Sequence, residues 1–224
     1  METTNLNMKD KLEIVNRIDD KFPFRVYEMS NGEYYPSATS VTGLVHEKEL
    51  AKWRKWVGDK KADEVCRVAS EHGTRFHELM ERKLNGEEIK LSPFHEFYNV
   101  YKALDKQIYP NISNVKFVEK QLFSTSLRCA GTVDLLADWQ GDTAIIDWKT
   151  TKREKTLSDV SNYFAQLSAY AYMIRENYGI VAKKMVLVFN EADSTVYTLQ
   201  QTDIQKWVNF FMKYRKIFFE RYGI

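Results

Sequence analysis

The chain has 224 residues, 33 Lys and Arg against 31 Asp and Glu, and a formal charge of +2; this length suits one mixed α/β domain that can bury most of its surface. Two cysteines, Cys66 and Cys129, are too few for an iron–sulfur cluster or a structural zinc and read as reduced core thiols. Residues 1–21 mix acidic, basic and polar types without an apolar run, so neither a signal peptide nor a membrane span is expected, and a soluble cytoplasmic protein is. The mild charge does not repel nucleic acid, and without a GxxxxGK[ST] sequence no fused helicase motor is expected.

In chain order, a hairpin is predicted over residues 25–35 about Asn31-Gly32, ended by Pro36. One helix then runs from Thr39 or Ser40 past Trp56, a second over about 60–84 and a third over about 93–108. In the first, Lys52, Arg54 and Lys55 interleave with Trp53 and Trp56, a composition suited to phosphate contact and base stacking. Leu50, Trp53 and Val57 recur there at helical spacing, so an ordinary packed helix with a solvated basic face describes it equally well. In the second helix, His77 lies beside Phe76, Leu79 and Met80, and Gly73, which costs about 1 kcal/mol against alanine, predicts close approach of another backbone.

Strands are predicted over about 115–123, 128–138 and 143–149, then a helix over about 159–178 capped by Gly179, strands over 184–190 and 195–199, and a final helix from Thr202 with a Thr-x-x-Gln capping box to Gln205. No repeat or linker divides the chain, so a single domain over 1–224 is expected, with hairpin and helices in 1–110 and the core and C-terminal helix in 111–224.

The chemistry concentrates in the central hairpin. Counting outward from a Gln140-Gly141 turn sets Asp134 opposite Asp147, and period-two alternation puts Lys149 on the same face. Opposed carboxylates repel unless a cation or a proton lies between them, and the strands are otherwise apolar (Val133, Leu135, Leu136, Ile145, Ile146, Trp148), so both acids fall where stray charge is costly. Glu119 shares its parity with Val115 and Phe117, so it is expected to point inward with them. Gln166 and Tyr170 are four apart at the edge of the stripe Val160, Tyr163, Phe164, Leu167, Ala171, Ile174.

Gly73-Thr-Arg-Phe-His77, Glu119, Gly131-Thr-Val-Asp134, Asp147-Trp-Lys149-Thr-Thr and Gln166-x-x-x-Tyr170 are individually unspecific. In this order and spacing they resemble the PD-(D/E)XK nuclease superfamily, and the wider set resembles its RecB-type exonuclease branch. Pro36-Ser-Ala-Thr-Ser40 is further similar to mitochondrial genome-maintenance and small phage exonucleases. The resemblance implies an α/β (α+β) fold, with a restriction-endonuclease-like αβββαβ core, a central mixed sheet and added N-terminal helices. It implies an exonuclease acting on DNA, preferably single-stranded or with an accessible end. Asp134, Asp147 and Lys149 would be catalytic. His77, Asp134, Asp147, Glu119 and the Trp148 carbonyl would hold one or two Mg²⁺ or Mn²⁺ ions, with no iron–sulfur cluster. Gln166, Tyr170, Thr150, Thr151, Ser37, Ser40, Lys52, Arg54 and Lys55 would face the substrate. A helicase or single-strand-binding protein would be the partner, with no membrane, in the host cytoplasm if the chain is phage-encoded. An endonuclease and a non-catalytic DNA-binding subunit on the same fold are the alternatives.

Overall fold

The computed structural model describes residues 12–191 and 194–224. Its N-terminal part is a small antiparallel sheet of β1 (Ile14–Ile18), β2 (Val26–Met29) and β3 (Tyr34–Pro36). The predicted hairpin is β2–β3, with Gly32 at φ +84°, where side chains are strained. β1 adds a strand the sequence reading did not contain, because most of it is exposed and its residues do not alternate cleanly. Pro36 closes β3 at a sheet edge, and Ser37 makes a parallel bridge to Ala130 that ties this sheet to the larger one.

The single helix predicted past Trp56 is instead α1 (Ala38–Thr42), a 3-10 turn (Gly43–His46) and α2 (Glu47–Val57). α2 buries no residue: Leu50 is exposed, against the packed-face reading, and Trp56 is 84% exposed. α3 (Asp59–Leu84) buries nothing between Ala62 and Phe76, so its N-terminal half has little packing. Cys66 is on that half and exposed, which corrects its reading as a core thiol; Cys129 is buried. α4 (Tyr98–Gln107) starts later than predicted because residues 93–97 form turns, with the Phe97 N–H donated to His95 Nδ1.

β4 (Ile112–Ser124), β5 (Cys129–Trp139), β6 (Asp142–Thr151), β7 (Lys184–Glu191) and β8 (Val196–Gln201) form a five-stranded sheet in that order. All neighbours are antiparallel except β6 and β7, and a parallel pair needs a crossover, which α5 (Ser161–Tyr178) supplies. α1, α5 and α6 (Ile204–Tyr222) cover one face; α4 and the C-terminal half of α3 cover the other. This is the mixed α/β arrangement, with the αβββαβ order, expected of a restriction-endonuclease-like core. Because both faces are covered, β5 to β7 are near-continuous apolar runs. α5 is buried almost all round from Phe164 to Ala171, so Gln166 is not a surface residue. α6 starts on Asp203, whose carboxylate accepts the Lys206 N–H at 3.0 Å, rather than on a Thr202–Gln205 capping box.

Candidate active site

Gln140 and Gly141 both hold positive φ, +51° and +85°, the left-handed pair a two-residue hairpin turn requires. They set the register from Trp139↔Asp142 to Leu135↔Ile146. The next residues on that count are Asp134 and Asp147, and there the paired ladder ends, with the Asp134 carboxylate accepting the Trp148 N–H at 3.0 Å. Both acids are buried, Asp147 to 2% exposure and Asp134 to 8%. Lys149 forms an ion pair with Asp147, and its ammonium lies 5.0 Å from the centre of the Tyr163 ring. Neither Asp147 oxygen has a well-directed hydrogen-bond donor, which leaves a buried anion under-satisfied.

α3 brings His77 to the same strand ends. Its Nε2 is 2.9 Å from the Trp148 carbonyl oxygen, and its Nδ1 is 3.4 Å from Asp134 and 3.6 Å from Glu119. A neutral ring protonated at Nε2 donates to that carbonyl and turns the Nδ1 lone pair toward the two carboxylates. Glu119 stands level with Asp134 across the β4–β5 pair, between Val118↔Leu135 and Lys120↔Val133. Parity with Val115 does not put it there: Val115 is exposed, and a register shift separates Ser113 from Phe117. Glu119 instead leaves extended geometry at φ +45°, a conformation that costs a non-glycine residue of order 1–3 kcal/mol and concentrates at functional sites.

One ligand atom each from His77, Glu119 and Asp134 lie within 4.8 Å of one another. Oxygen donors with one imidazole suit a divalent ion of the magnesium–manganese type, and the carboxylates of Asp134, Asp147 and Glu119 outnumber the one ammonium of Lys149 among them, so the residues fit such an ion. The proton affinities agree. Burial works against protonation of His77, but Asp134 and Glu119 outweigh it and hold the ring above its usual range. Burial pushes Asp147 up to about 6, with Lys149 opposing and Asp134 adding. Burial also opposes protonation of Lys149, yet Asp147 and Asp134 keep it firmly cationic. A divalent ion in the cluster would reverse the first two shifts, because it favours the deprotonated ligands.

The cluster opens into a cavity of about 440 Å³. α5 contributes Tyr163, Gln166 and Tyr170 to its lining; α3 contributes Ser70, Gly73, Thr74, His77, Glu78 and Glu81; the N-terminal part contributes Arg17, Arg25, Tyr27 and Thr39. With this geometry in place, the profile of the PD-(D/E)XK nuclease superfamily matches residues 94–216, a stretch that holds Glu119, Asp134, Asp147, Lys149, Gln166 and Tyr170. The chain belongs to this superfamily. Its members generally use divalent metal ions. Mitochondrial genome maintenance exonuclease 1 of Homo sapiens is 26% identical over 167 residues, covering 70% of this chain and 48% of that protein. The Xenopus tropicalis protein of that name is 22% identical over 206 residues, covering 84% and 59%. The Mus musculus protein is 29% identical over 101 residues, covering 45% and 30%. The chain thus spans about half the length of the curated relatives it matches.

The sequence-predicted residues divide between cavity and periphery. Gln166 and Tyr170 are buried in the cavity wall, with Gln166 Nε2 donating to the Tyr170 hydroxyl at 3.0 Å. Tyr170 fits because position 131 is glycine: a Cβ there would lie 2.5 Å from Tyr170 Cε1. Gly73 has nothing within 4 Å of an added Cβ, so the expected backbone approach does not occur, and the glycine is bare cavity wall. Thr150 and Thr151 pair with Asn190 and Glu191 of β7, the Thr151 hydroxyl donates to the Arg153 carbonyl at 2.7 Å, and neither lines the cavity. Ser37 caps α1 by accepting the Ser40 N–H, and the two hydroxyls meet at 2.7 Å; Thr39, between them, is the one that faces the cavity. Lys52, Arg54 and Lys55 lie on α2 outside the lining, with Arg54 paired to Asp59 and Asp63. Tyr163, read from spacing as core, turns its ring to Lys149, while Arg17 and Arg25 carry no motif that could have marked them.

Proposed function

We propose that the chain is a divalent-metal-dependent DNA exonuclease that hydrolyses phosphodiester bonds from ends and prefers single strands. One observation carries the reading: two buried aspartates and a lysine share one face of a hairpin, level with His77 and Glu119, at the mouth of a cavity. Asp134, Asp147, His77, Glu119 and the Trp148 carbonyl would hold one or two Mg²⁺ or Mn²⁺ ions. When bound, the metal supplies a water of lowered pKa and neutralises charge on the phosphate. Lys149, kept cationic by its two aspartates, holds positive charge beside the attacking oxygen and the developing anion. Asp147 fixes the direction of that ammonium from one side, and the Tyr163 ring from another. The hydrogen-bonded Gln166–Tyr170 pair presents a rigid polar edge to the bound strand.

The proposal extends to one nuclease domain acting where a helicase or single-strand-binding protein supplies unpaired strand. Its setting would be the cytoplasm, the host's if the chain is phage-encoded; the mitochondrial names belong to the relatives. The end requirement draws on α2 and the sparsely packed half of α3, with Lys52, Lys55 and exposed Trp56, which suit the wall of a passage that a strand must thread. Digestion of end-labelled linear and closed circular single-stranded DNA, with Mg²⁺ or Mn²⁺, tests this. Short products from the linear form and intact circles are expected. Rapid cutting of circles would replace the exonuclease reading with an endonuclease, and DNA binding without hydrolysis of either form would leave a non-catalytic subunit.

A further inference from the structure

Arg17 of β1 and Arg25, just before β2, line the same cavity as Asp134, Asp147 and Lys149. The two guanidinium groups share one carboxylate: Arg17 Nε lies 3.0 Å from Asp19, and Arg25 Nε is in ion-pair contact with it. One anion between two cations leaves a net positive charge, and with five N–H donors on each guanidinium most remain unspent. The backbone beneath them is fixed. The Ser37 N–H donates to the Arg25 carbonyl at 2.9 Å, and the Ser40 hydroxyl donates to the same oxygen at 3.4 Å. Two residues on, the Tyr27 and Thr132 hydroxyls meet at 3.3 Å, and Thr132 is about 6.6 Å of extended strand from Asp134.

The charges around the cavity make these arginines conspicuous. Its described lining holds the carboxylates of Glu78, Glu81, Glu119, Asp134 and Asp147, and the Lys and Arg side chains of Arg17, Arg25 and Lys149 alone. Lys149 is committed to Asp147. A nucleic-acid strand carries a phosphate at every nucleotide, so the linkage beside the one being cut also needs a counter-charge. Arg17 and Arg25 can supply it, since both remain partly exposed within the cavity mouth.

We infer that Arg17 and Arg25, oriented by Asp19, clamp the phosphate next to the scissile linkage. The inference rests on the nuclease reading for the identity of the strand, but its chemistry is that of an arginine fork on non-bridging phosphate oxygens. The clamp belongs to the N-terminal part, whereas Glu78 and Glu81 of the lining come from α3, and it would set how far the strand advances along the cavity.

The test is fluorescence anisotropy of a short labelled single-stranded oligonucleotide with Ca²⁺ present, run as a salt series and alongside thermal denaturation. Arg17→Gln and Arg25→Gln are each expected to weaken binding about tenfold, the weight of one charge-assisted hydrogen bond. The slope of log affinity against log salt should become shallower by about 0.7 for each phosphate that is no longer neutralised. Asp19→Asn keeps both cations but loosens the carboxylate that orients them, and should weaken binding by less than either arginine variant with the salt slope unchanged. Lys102→Gln, which removes a charge outside the cavity lining, controls for general loss of positive charge. If the folded arginine variants bind with parental affinity and slope, or if Lys102→Gln weakens binding as much as they do, the clamp is overturned. If all three variants at positions 17, 19 and 25 merely lower the thermal midpoint alike, with binding unchanged, the trio is structural and the clamp is again overturned. Binding that depends on the arginines in a parent chain that cuts nothing with Mg²⁺ or Mn²⁺ would keep the clamp and defeat the nuclease reading; cutting with binding indifferent to them would do the reverse.

Discussion

The two principal walls of the cavity differ in how firmly they are held. On one, Asp134, Asp147 and Lys149 rise from adjacent strands packed between two buried clusters, with their register set by a two-residue turn. On the other, α3 buries no residue between Ala62 and Phe76, where surface pairs such as Arg75–Glu96 hold it, and packs deeply again from Phe76, Leu79 and Met80 onward. His77 stands at the first anchored turn and touches the opposite wall at Trp148, Asp134 and Glu119. The contrast teaches a division of labour. The sheet holds its charges on well-packed strands, whereas the N-terminal half of the helix has the few buried contacts typical of segments that open locally, and His77 stands where that half meets the packed one.

The largest effects should come from breaking the rigid wall. Asp147→Asn and Lys149→Ala are each expected to lower hydrolysis by about 10²-fold or more, the range typical of removing a preorganised charge from a reacting centre. Lys149→Ala also strands a buried aspartate, which costs about 3 kcal/mol if the acid stays ionised, so thermal midpoints must accompany the rates. Cleavage at parental rate in either folded variant would dismantle the site. A smaller effect follows where the sheet meets α5. Gly131→Ala drives a methyl into the Tyr170 ring and should destabilise by about 1–3 kcal/mol in urea denaturation, the usual scale of overpacking. An unchanged midpoint would mean that this wall yields more readily than its packing indicates.

The helix wall is the place for the subtler test. His77→Ala should reduce activity at limiting Mg²⁺, with partial recovery at raised Mn²⁺, and parental behaviour at limiting metal would reduce His77 to packing. Without metal, His77 and Asp147 both have folded pKa values above their unfolded ones. Their stabilising contribution is therefore fully present below the unfolded values, about 6.5 and 3.9, and is lost as pH rises through the folded ones. The metal-free thermal midpoint should fall as pH rises from about 4 to about 6, where Asp147 loses its proton, and again above about 6.5, where His77 does. Calorimetric metal affinity should rise over the same window as the competing protons leave, and a flat isotherm series would contradict the coupling between walls.

The sheet side of this site was legible in the sequence because strand periodicity and turn chemistry are local. Asn or Gln with glycine at a hairpin turn fixes which residues oppose, so the Asp134–Asp147–Lys149 face follows from counting. Gln166 was harder, since helical spacing alone cannot tell that α1 and α6 cover the outer side of α5 and bury it all round from Phe164 to Ala171. Glu119 was found for the wrong reason: its reach depends on a left-handed backbone that period-two counting does not contain. Arg17, Arg25 and Thr39 were invisible because the small sheet docks through tertiary contacts, among them Tyr27–Thr132, Ser37–Ala130 and the packing of Tyr27, Met29 and Tyr35 on Ala130, which no local pattern announces. Gly131 and Gly73 look alike in sequence, and only tertiary contact separates a glycine that makes room for a ring from one that borders open space.

The Gln140-Gly141 turn lies on the surface and takes no part in any chemistry. It nevertheless governs which changes of length the chain can tolerate. One inserted residue that slid β6 past β5 would bring Trp148 to the level of Asp134 and send Asp147 and Lys149 to the opposite face, where the second apolar cluster would have to receive them. Two inserted residues would restore the face but shift the lysine and its aspartate by about 6.6 Å relative to Asp134. Evolution can therefore substitute freely at this tip, within the demands of positive φ, yet can hardly lengthen it, and the hairpin acts as a ruler for a site it never touches.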